Sequence, residues 1–503
     1  MLRAAVLLLA AAVALPGAAP EPERASPAPD IRLFFLAAGA DEKEARRALE
    51  AIEDGWRDGY AALFLDIMRF IPPAPRRRPS VEDDELAEAG PDAATPPPFR
   101  RGGRMPEAAA PVPPGARVRA RLVRFLEKQT RQRLGDDLGR FQRWLWNRPY
   151  DPHPEYAAFK AALYGNVDPR MASFFRPGGT VKIRLDEIVW GGVSVNGIPP
   201  LDRPAHVPAA EATYLDDDDV VFGIALGGEA RAYPKRILAW HELARDRLGG
   251  VDLAIVYCTL CGTVIPYGAE VGGERRTFGT SGLLYRSNKL MFDEESMSLW
   301  STVEGRPVVG PLAGRDLELS AHPVVTTRWG EWKSRHPHTT VLSLETGHQR
   351  DYSEGAAYRD YFATDRLMFG VPRTDERLRN KDEVLTLLLR PRGEGPAALR
   401  RPLALSARFL ARNPVHHVSF AGHDLVVVTS PGGANRVFEA GGRRFLRLGP
   451  GGYVEDSEGR RWRVGEDALA AYEAGLPRLS RVAARRAFWF GWYAQFPQTE
   501  LVK

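Results

Sequence analysis

The stretch that decides the fold occurs twice, as W-G-E-W-K-S-R-H-P-H-T-T-V from Trp329 to Val341 and as W-F-G-W-Y-A-Q-F-P-Q-T-E-L from Trp489 to Leu501. Both copies read W-x-x-W-x-x-x-x-P-x-T-x-hydrophobic with identical spacing. Four further pairs of segments resemble each other in the same order, and such self-similarity predicts an internal duplication. These pairs are D-D-D-V-V-F-G-I-A-L with N-K-D-E-V-L-T-L-L-L, G-G-V-D-L-A-I-V-Y with A-G-H-D-L-V-V-V-T, V-G-G-E-R-R-T-F-G with E-A-G-G-R-R-F-L and, more weakly, S-L-W-S-T-V-E-G with R-R-W-R-V-G-E-D.

The residues around these blocks predict an α+β protein. Short β-type runs divided by Gly, Pro and Asp follow residue 180, whereas the preceding part has helical periodicity. We therefore expect two related β-rich units with short helices, preceded by a helical N-terminal segment. The expected division is a signal peptide (1–19), a helical segment (20–71), a disordered Pro/Arg-rich linker (72–114), a second helical segment (115–179), a first unit carrying the site (180–350) and a second, diverged unit without it (351–503).

Three stretches have the pattern of single helices. Apolar residues recur at three-to-four spacing from Asp41 to Ile71 and from Arg117 to about Leu145. A shorter helix of about three turns is predicted to begin at Pro234 and to end before Gly249-Gly250, because proline is favoured early and glycine late in helices.

The N-terminus and the bulk composition indicate an exported protein. The chain opens M-L-R, continues apolar from Ala4 to Leu15 and ends this run with small residues, which is typical of a secretory signal. An uncleaved N-terminal anchor is the alternative, although the run is short for a membrane span. The expected location is the periplasm or the extracellular space. The net charge is +5, with no basic stripe interleaved with aromatic residues, so no nucleic-acid partner is expected.

The only two cysteines are Cys258 and Cys261, in Y-C-T-L-C-G-T. The pair is a local bridge, a redox couple or half of a metal site. An oxidising compartment favours the disulfide unless a metal or a reductant holds the thiols. The pair follows a predicted strand, which argues against a thioredoxin-like helix N-terminus. A site of four thiolates is excluded by the cysteine count.

The duplication provides an internal comparison that points to one site. The second unit has Thr429-Ser430-Pro431 in place of the cysteine segment, and it lacks a counterpart of His241 and Glu242. The shared tryptophans are therefore expected to be packing residues, and the unshared Cys, His and Glu to be functional. With Met291, they could supply two thiolates, an imidazole and a thioether to a soft metal such as copper. The residues expected to line a polar pocket beside the cysteines are Glu242, Thr263, Ser281, Ser287, Asn288 and Asp293.

Several further segments identify a family. In chain order they are L-D-E-I-V-W-G-G-V, N-G-I-P-P-L, A-Y-P-x-R-I-L-x-W-H-E, Y-C-x-L-C-G-T, S-G-L-L-Y-x-S-N-x-L-M-F-D and S-L-W-S. With these segments the chain resembles the bacterial and archaeal domain-of-unknown-function family 3179 over roughly residues 185–502. Some members of that family carry selenocysteine in a cysteine position. The resemblance therefore implies redox or soft-metal chemistry at Cys258 and Cys261.

Two function classes follow from these observations. The first is an exported protein with a single thiol-redox or soft-metal site. If such a protein is an enzyme, we expect a thiol- or metal-dependent oxidoreductase. Its expected partner is a redox protein or a small ligand. The alternative is a structural or ligand-binding module whose cysteines form only a local disulfide. A serine hydrolase is disfavoured because G-T-S-G-L lacks the G-x-S-x-G frame. His336 and His338 are expected to be surface residues.

Overall fold

The computed structural model describes residues 27–72, 114–395 and 398–503. The predicted signal peptide and nearly all of the predicted linker lie outside these ranges. Twelve α-helices occur within the described residues. They are α1 (Ile31–Ala37), α2 (Glu42–Glu53), α3 (Ala61–Met68), α4 (Pro114–Thr130), α5 (Leu138–Trp146), α6 (Tyr156–Gly165), α7 (Pro169–Ala172), α8 (Lys235–His241), α9 (Trp329–Arg335), α10 (Arg359–Ala363), α11 (Ala407–Arg412) and α12 (Trp489–Gln495).

The two long helices expected near the N-terminus are each divided in the structure. The stretch from Asp41 to Ile71 contains α2 and α3, which are separated by a turn and a short 3₁₀ helix, Asp58–Tyr60. The stretch from Arg117 to Leu145 contains most of α4 and α5, with a break in which Gly135 has a φ of 61°. Apolar residues recur at three-to-four spacing on both sides of each break, so periodicity alone did not reveal the turns.

The N-terminal helices pack onto the β-rich part of the chain. Their apolar side chains share one hydrophobic core with Leu283, Phe292 and Val309 of the first unit. A buried ion pair adds a polar connection at this junction, because the Lys160 ammonium lies 2.8 Å from Asp66 Oδ2 and donates a hydrogen bond of 2.9 Å to the Ile188 carbonyl. The helical segment therefore forms one wall of the first unit.

Twenty-nine strands follow within the described residues. Seventeen precede residue 343: β1 (Thr180–Val181), β2 (Ile188–Trp190), β3 (Leu201–Asp202), β4 (His206–Pro208), β5 (Val220–Leu226), β6 (Glu229–Pro234), β7 (Leu243–Leu248), β8 (Val251–Cys258), β9 (Thr263–Gly268), β10 (Glu270–Val271), β11 (Glu274–Arg275), β12 (Phe278–Tyr285), β13 (Asn288–Asp293), β14 (Leu299–Ser301), β15 (Arg306–Gly310), β16 (Val325–Arg328) and β17 (Thr340–Leu342). The others are β18 (Glu383–Leu389), β19 (Arg401–Ser406), β20 (Val415–Phe420), β21 (His423–Thr429), β22 (Asn435–Glu439), β23 (Phe445–Gly449), β24 (Tyr453–Asp456), β25 (Arg461–Val464), β26 (Ala468–Ala471), β27 (Leu479–Val482), β28 (Arg485–Phe488) and β29 (Glu500–Val502).

These strands form five larger sheets and one two-stranded ribbon, so the α+β class expected from the sequence is confirmed. The sheets of the first half have the orders β1-β15-β14-β13-β12-β2, β16-β5-β6-β17-β4 and β3-β7-β8-β9, and β10 pairs with β11. The sheets of the second half have the orders β28-β18-β19-β29 and β20-β21-β22-β27-β26-β25-β24-β23.

One four-strand arrangement occurs in each half. The order β16-β5-β6-β17 matches β28-β18-β19-β29, and in each case only the last pair is parallel. In the chain, a helix that begins at the first tryptophan of the W-x-x-W block connects the two outer strands: α9 follows β16 and precedes β17, and α12 follows β28 and precedes β29. In both blocks the second tryptophan donates its indole N–H over 2.9 Å to a threonine hydroxyl, Trp332 to Thr339 and Trp492 to Thr499. All four tryptophans of the blocks are buried.

The helix predicted from Pro234 to Gly249 is only half present. α8 ends at His241, Glu242 adopts a left-handed conformation with a φ of 56°, and the chain continues as β7. The backbone carbonyl of Glu242 accepts a hydrogen bond of 2.8 Å from the N–H of Tyr257, which draws the following residues into the sheet of β8. Pairing with a distant strand therefore overrides the local helical pattern. Among the residues that the structure describes, no helix has the length and apolar character needed to cross a membrane.

Candidate functional site

Cys258 and Cys261 form a disulfide across the turn between β8 and β9. Cys258 is the last residue of β8, the Cα atoms of the pair lie 5.4 Å apart, and Gly262 completes the turn with a φ of 61°. A left-handed φ favours glycine, which explains the C-x-x-C-G pattern. The pair thus lies on a strand-to-strand turn, as expected, and not at a helix N-terminus.

The disulfide is enclosed on several sides by other parts of the chain. Cys258 is 4% exposed and Cys261 is fully buried. The Sγ atom of Cys261 lies 3.4 Å from the Ser287 carbonyl oxygen, and the Phe488 N–H donates a hydrogen bond of 2.7 Å to the Cys261 carbonyl. A Cβ added to Gly491 would lie 3.0 Å from Cys261 Cβ. The turn is therefore packed against α12 of the second half, and its sulfurs do not face solvent.

His241 is held by hydrogen bonds at both ring nitrogens. Nδ1 lies 2.8 Å from the Pro199 carbonyl, which can only accept, so this nitrogen carries the proton. Nε2 lies 2.6 Å from the Tyr352 hydroxyl, which donates to it when the ring is neutral. Burial is the main reason why the pKa of His241 is lowered to about 4. Neither nitrogen is free to bind a metal.

The donors proposed from the sequence do not fit a soft-metal centre. The two sulfurs are bonded to each other, and the fully buried Met291 packs in an apolar cluster with Phe278 and Trp300. Among the described residues, no group of three or more His, Cys, Asp or Glu side chains could hold a metal ion. We therefore derive no chemistry through a metal at this position.

Most of the residues predicted to line a polar pocket make internal hydrogen bonds instead. Ser281 donates to the Leu290 carbonyl at 2.6 Å, Ser287 to the Phe369 carbonyl at 2.9 Å and Thr263 to the Cys261 carbonyl at 3.2 Å. The Asn288 amide donates over 3.0 Å to the Gly491 carbonyl. The Asp293 carboxylate accepts from the Trp300 indole at 2.8 Å and from Ser296 at 2.6 Å. These bonds fix the β12–β13 hairpin and its contact with α12.

Glu242 is the predicted pocket residue that does line a cavity, and its partner there is Lys289. The buried Lys289 ammonium donates a hydrogen bond of 2.6 Å to the Glu242 carbonyl and lies 3.5 Å from Glu242 Oε2. Burial lowers the pKa of Lys289 to about 8, against the opposing effect of Glu242. The pair forms the polar end of a cavity of about 60 Å³.

The rest of this cavity is mainly apolar. Leu260, from the turn closed by the disulfide, forms part of its wall, and so does Tyr358. The Tyr358 hydroxyl makes no hydrogen bond within the part of the chain that the structure describes. Met368 is 53% exposed and lies at the mouth. The remaining lining residues are Gly191, Val193, Ile198, Thr280, Gly282, Leu283, Leu284 and Phe369.

Two of the nine non-glycine residues with a positive φ in the described structure line this cavity. Glu242 and Tyr358, both of which line it, have φ values of 56° and 60°. Arg286 and Ser287, with φ values of 49° and 60°, form the two-residue turn between β12 and β13, where a positive φ at both positions is the usual turn conformation. A left-handed conformation costs a residue other than glycine roughly 1 kcal/mol or more, and such residues cluster at functional sites.

Sequence reasoning missed Lys289 and Tyr358. A signal for Lys289 was present, because it stands in the run N-K-L-M-F-D, all of which is buried in β13. A lysine followed directly by Leu290, Met291 and Phe292 in a strand must find a polar partner if that strand is buried, so its position indicated a special environment. Tyr358 lies more than sixty positions from Lys289 in the chain, and no local pattern connects the two.

The comparison with known families identifies the chain at the family level. The family model described as "Protein of unknown function (DUF3179)" matches residues 195–499. The chain belongs to this family. No curated protein and no solved structure matches it. The match covers the disulfide turn, Glu242, Lys289 and Tyr358, so the candidate site lies within the family domain.

Proposed function

We propose that this protein is a small-molecule-binding module whose site is the cavity formed by Glu242, Lys289, Leu260 and Tyr358. The observation that carries this proposal is the buried Lys289–Glu242 pair at the end of a cavity that has a mouth. Buried charged groups are costly unless they are paired, and a fold that retains them beside a cavity has polar groups available to a ligand. The Cys258–Cys261 disulfide then acts as a local bridge that shapes the wall at Leu260.

The polar end of the cavity favours a small neutral ligand. Lys289 supplies N–H donors, Glu242 supplies a carboxylate acceptor, and the two charges cancel within the site. The Tyr358 hydroxyl can donate or accept. A volume of about 60 Å³ has room for a few water molecules, or for a ligand of about four heavy atoms. A primary amide of that size offers both an acceptor and a donor, as the ion pair requires.

Burial of the cysteines supports the local-bridge role over thiol exchange. Exchange requires a thiolate to reach a sulfur in line with the disulfide, and both sulfurs are covered here. Reactive cysteines also lie in electropositive, partly exposed surroundings. The Sγ atom of Cys261 is instead buried 3.4 Å from a carbonyl oxygen, that of Ser287.

The test is ligand-observed NMR with three probes of similar size, acetamide, acetate and methylammonium. We expect saturation transfer to acetamide in preference to the two charged probes. The matched variants are Met368→Trp, which narrows the mouth, and Leu399→Trp, which places the same side chain at a position that is 88% exposed and outside the cavity. Met368→Trp should remove the acetamide signal and Leu399→Trp should retain it. Equal signals from both variants would contradict the proposal.

We also infer that the two halves arose by duplication and that the protein is exported. The matched strand order and the equivalent Trp–Thr hydrogen bonds support the first inference. The apolar N-terminal run, which lies outside the described residues, and the disulfide support the second, because disulfides persist in oxidising compartments.

A further inference from the structure

Lys289 is a buried amine with an open hydrogen-bonding position. It is one of two lysines that are buried within the described residues, and it lines the cavity assigned above to a small ligand. Its ammonium donates one hydrogen bond of 2.6 Å to the Glu242 carbonyl, and the carboxylate oxygen Oε2 of Glu242 lies 3.5 Å away. An ammonium has three N–H groups, so at least one has no partner in this part of the chain. That position is available to a molecule in the cavity.

The other buried lysine, Lys160, is held by three protein groups. Its ammonium lies 2.8 Å from Asp66 Oδ2, and it donates to the Ile188 carbonyl at 2.9 Å and to the Tyr164 hydroxyl at 3.4 Å. These contacts occupy all of its N–H groups. Lys160 does not line the cavity. The open position of Lys289 is therefore a property of its site and not of lysine burial in general.

The Glu242 carboxylate also has few partners. Its side chain is 9% exposed, and Lys289 is the one cation that pairs with it among the described residues. The carboxylate of Glu466, which is 10% exposed, instead accepts hydrogen bonds of 2.9 Å and 2.7 Å from Arg436 and lies 3.4 Å from Arg335. A carboxylate that lies beside a single amine can take a proton from it and return it.

Burial keeps part of the Lys289 amine uncharged near neutral pH. Burial lowers the pKa of Lys289 to about 8, against the charge and the hydrogen bonding of Glu242. An exposed lysine has a pKa of about 10.4. At pH 7 the uncharged fraction is therefore about 10% for Lys289 and less than about 0.1% for an exposed lysine. Only the uncharged amine has the lone pair that attacks a carbonyl carbon.

We propose that Lys289 forms an imine with a small aldehyde that enters the cavity at Met368, and that Glu242 moves the protons of this reaction. The inference rests on the proposed small-molecule site and names its ligand class. An aldehyde is uncharged, as the cancelled charges of the ion pair require. A chain of about two or three carbon atoms fits the volume of about 60 Å³, and the apolar wall that includes Leu260 and Leu283 accepts its alkyl part.

The reaction balances without an oxidant or a reductant. The Lys289 ammonium gives one proton to Glu242, and the amine nitrogen then bonds to the carbonyl carbon while the π electrons of the carbonyl move to its oxygen. Glu242 passes its proton to that oxygen and takes another from the nitrogen, which gives the carbinolamine. Glu242 then protonates the hydroxyl group, which leaves as water as the C=N bond forms. The ammonium and the aldehyde thus become an iminium and one water molecule, and the Glu242 carboxylate is restored.

Reductive trapping of the full chain with acetaldehyde and cyanoborohydride tests this proposal. Cyanoborohydride reduces an iminium much faster than an aldehyde, so each imine becomes a stable ethyl group on its lysine. Proteolysis and mass spectrometry then give the rate of ethylation at each lysine. At neutral pH, Lys289 should be ethylated about tenfold or more faster than the exposed Lys182, because its amine is more often uncharged. Equal or slower ethylation of Lys289 would overturn the proposal.

Two variants with matched controls test the cavity and the proton transfer. Met368→Trp, which narrows the mouth, should slow ethylation of Lys289 and not of Lys182, whereas Leu399→Trp should slow neither. Glu242→Gln is compared with the wild type about one pH unit above the pKa of Lys289, where the amine is mostly uncharged in both proteins. Its ethylation rate at Lys289 should fall by about tenfold or more, the loss expected for an acid–base group.

Glu211→Gln, at an exposed position outside the cavity, is the control for this charge removal and should match the wild type. A wild-type rate at Lys289 in either Met368→Trp or Glu242→Gln would overturn the proposal. The acetamide experiment separates this inference from the proposed function. If acetamide binds and Lys289 is not ethylated, the imine is excluded and the binding site remains. If Lys289 is ethylated through the cavity and acetamide gives no signal, the imine is supported and the amide ligand is contradicted.

Discussion

Removal of the disulfide separates a local bridge from a thiol-exchange centre. The perturbation is the double variant Cys258→Ala, Cys261→Ala. The bridge closes a loop of only four residues, so the chain-entropy model gives it about 2 kcal/mol, compared with about 3 kcal/mol for a loop of fifteen residues. Each buried sulfur that is lost adds up to about 1 kcal/mol of lost burial. We therefore expect the free energy of unfolding to fall by about 2–4 kcal/mol.

Urea unfolding of the wild-type protein, oxidised and reduced, and of the double variant provides the measurement. The reduced wild type should lose about 2 kcal/mol, the entropic part alone. Reduction by dithiothreitol should be slow in native buffer and faster as urea opens the structure, because both sulfurs are buried. Trp329→Ala is the comparison for a packing residue, and it should cost about 3–5 kcal/mol while the disulfide remains intact.

One result would refute this reasoning. If the native protein is reduced as rapidly as an exposed peptide disulfide, and its unfolding free energy does not change on reduction, the sulfurs are accessible and the bridge is not structural. The cysteines would then be assigned to thiol exchange, the other function class that the C-x-x-C motif allows.

Three further predictions follow from buried polar groups. Thr259→Val should stabilise the protein by about 1 kcal/mol in the same urea assay, because the Thr259 hydroxyl is buried without a hydrogen bond in the described structure; a loss of stability would contradict this. Lys160→Met should lower the free energy of unfolding by about 3–5 kcal/mol, because it leaves Asp66 buried without its cation, and the further change Asp66→Leu should recover part of this loss. A single variant as stable as the wild type would exclude a charged pair. The unfolded chain binds a proton at His241 below about pH 6.5 and the folded chain only near pH 4, so stability should decrease by up to about 3 kcal/mol as the pH falls through this window. His241→Gln should reduce that pH dependence, because the half-buried His322, His416 and His417, whose pKa values are also lowered, keep their share of it; His338→Gln, at an exposed position, should leave it unchanged.

Local sequence patterns predicted the features that depend on near neighbours in the chain. The family, the α+β class and the position of the C-x-x-C turn after a strand were all evident from motifs and periodicity. The burial of Trp329 and Trp489 also followed from the repeated W-x-x-W block, because both units share these tryptophans and only one has the candidate site residues. In each case the decisive interaction spans a few residues, so the sequence around it contains the information.

Tertiary structure alone decided which side chains meet. The helix after Pro234 stops at His241 because β7 pairs with β8, and this pairing puts the carbonyl of Glu242 beside Lys289. His241 faces Pro199 and Tyr352, which no spacing in the sequence indicated. The charged cluster around Glu466 likewise combines groups more than one hundred positions apart. Burial and partner choice are set by the packing of distant segments, and local periodicity carries no record of that packing.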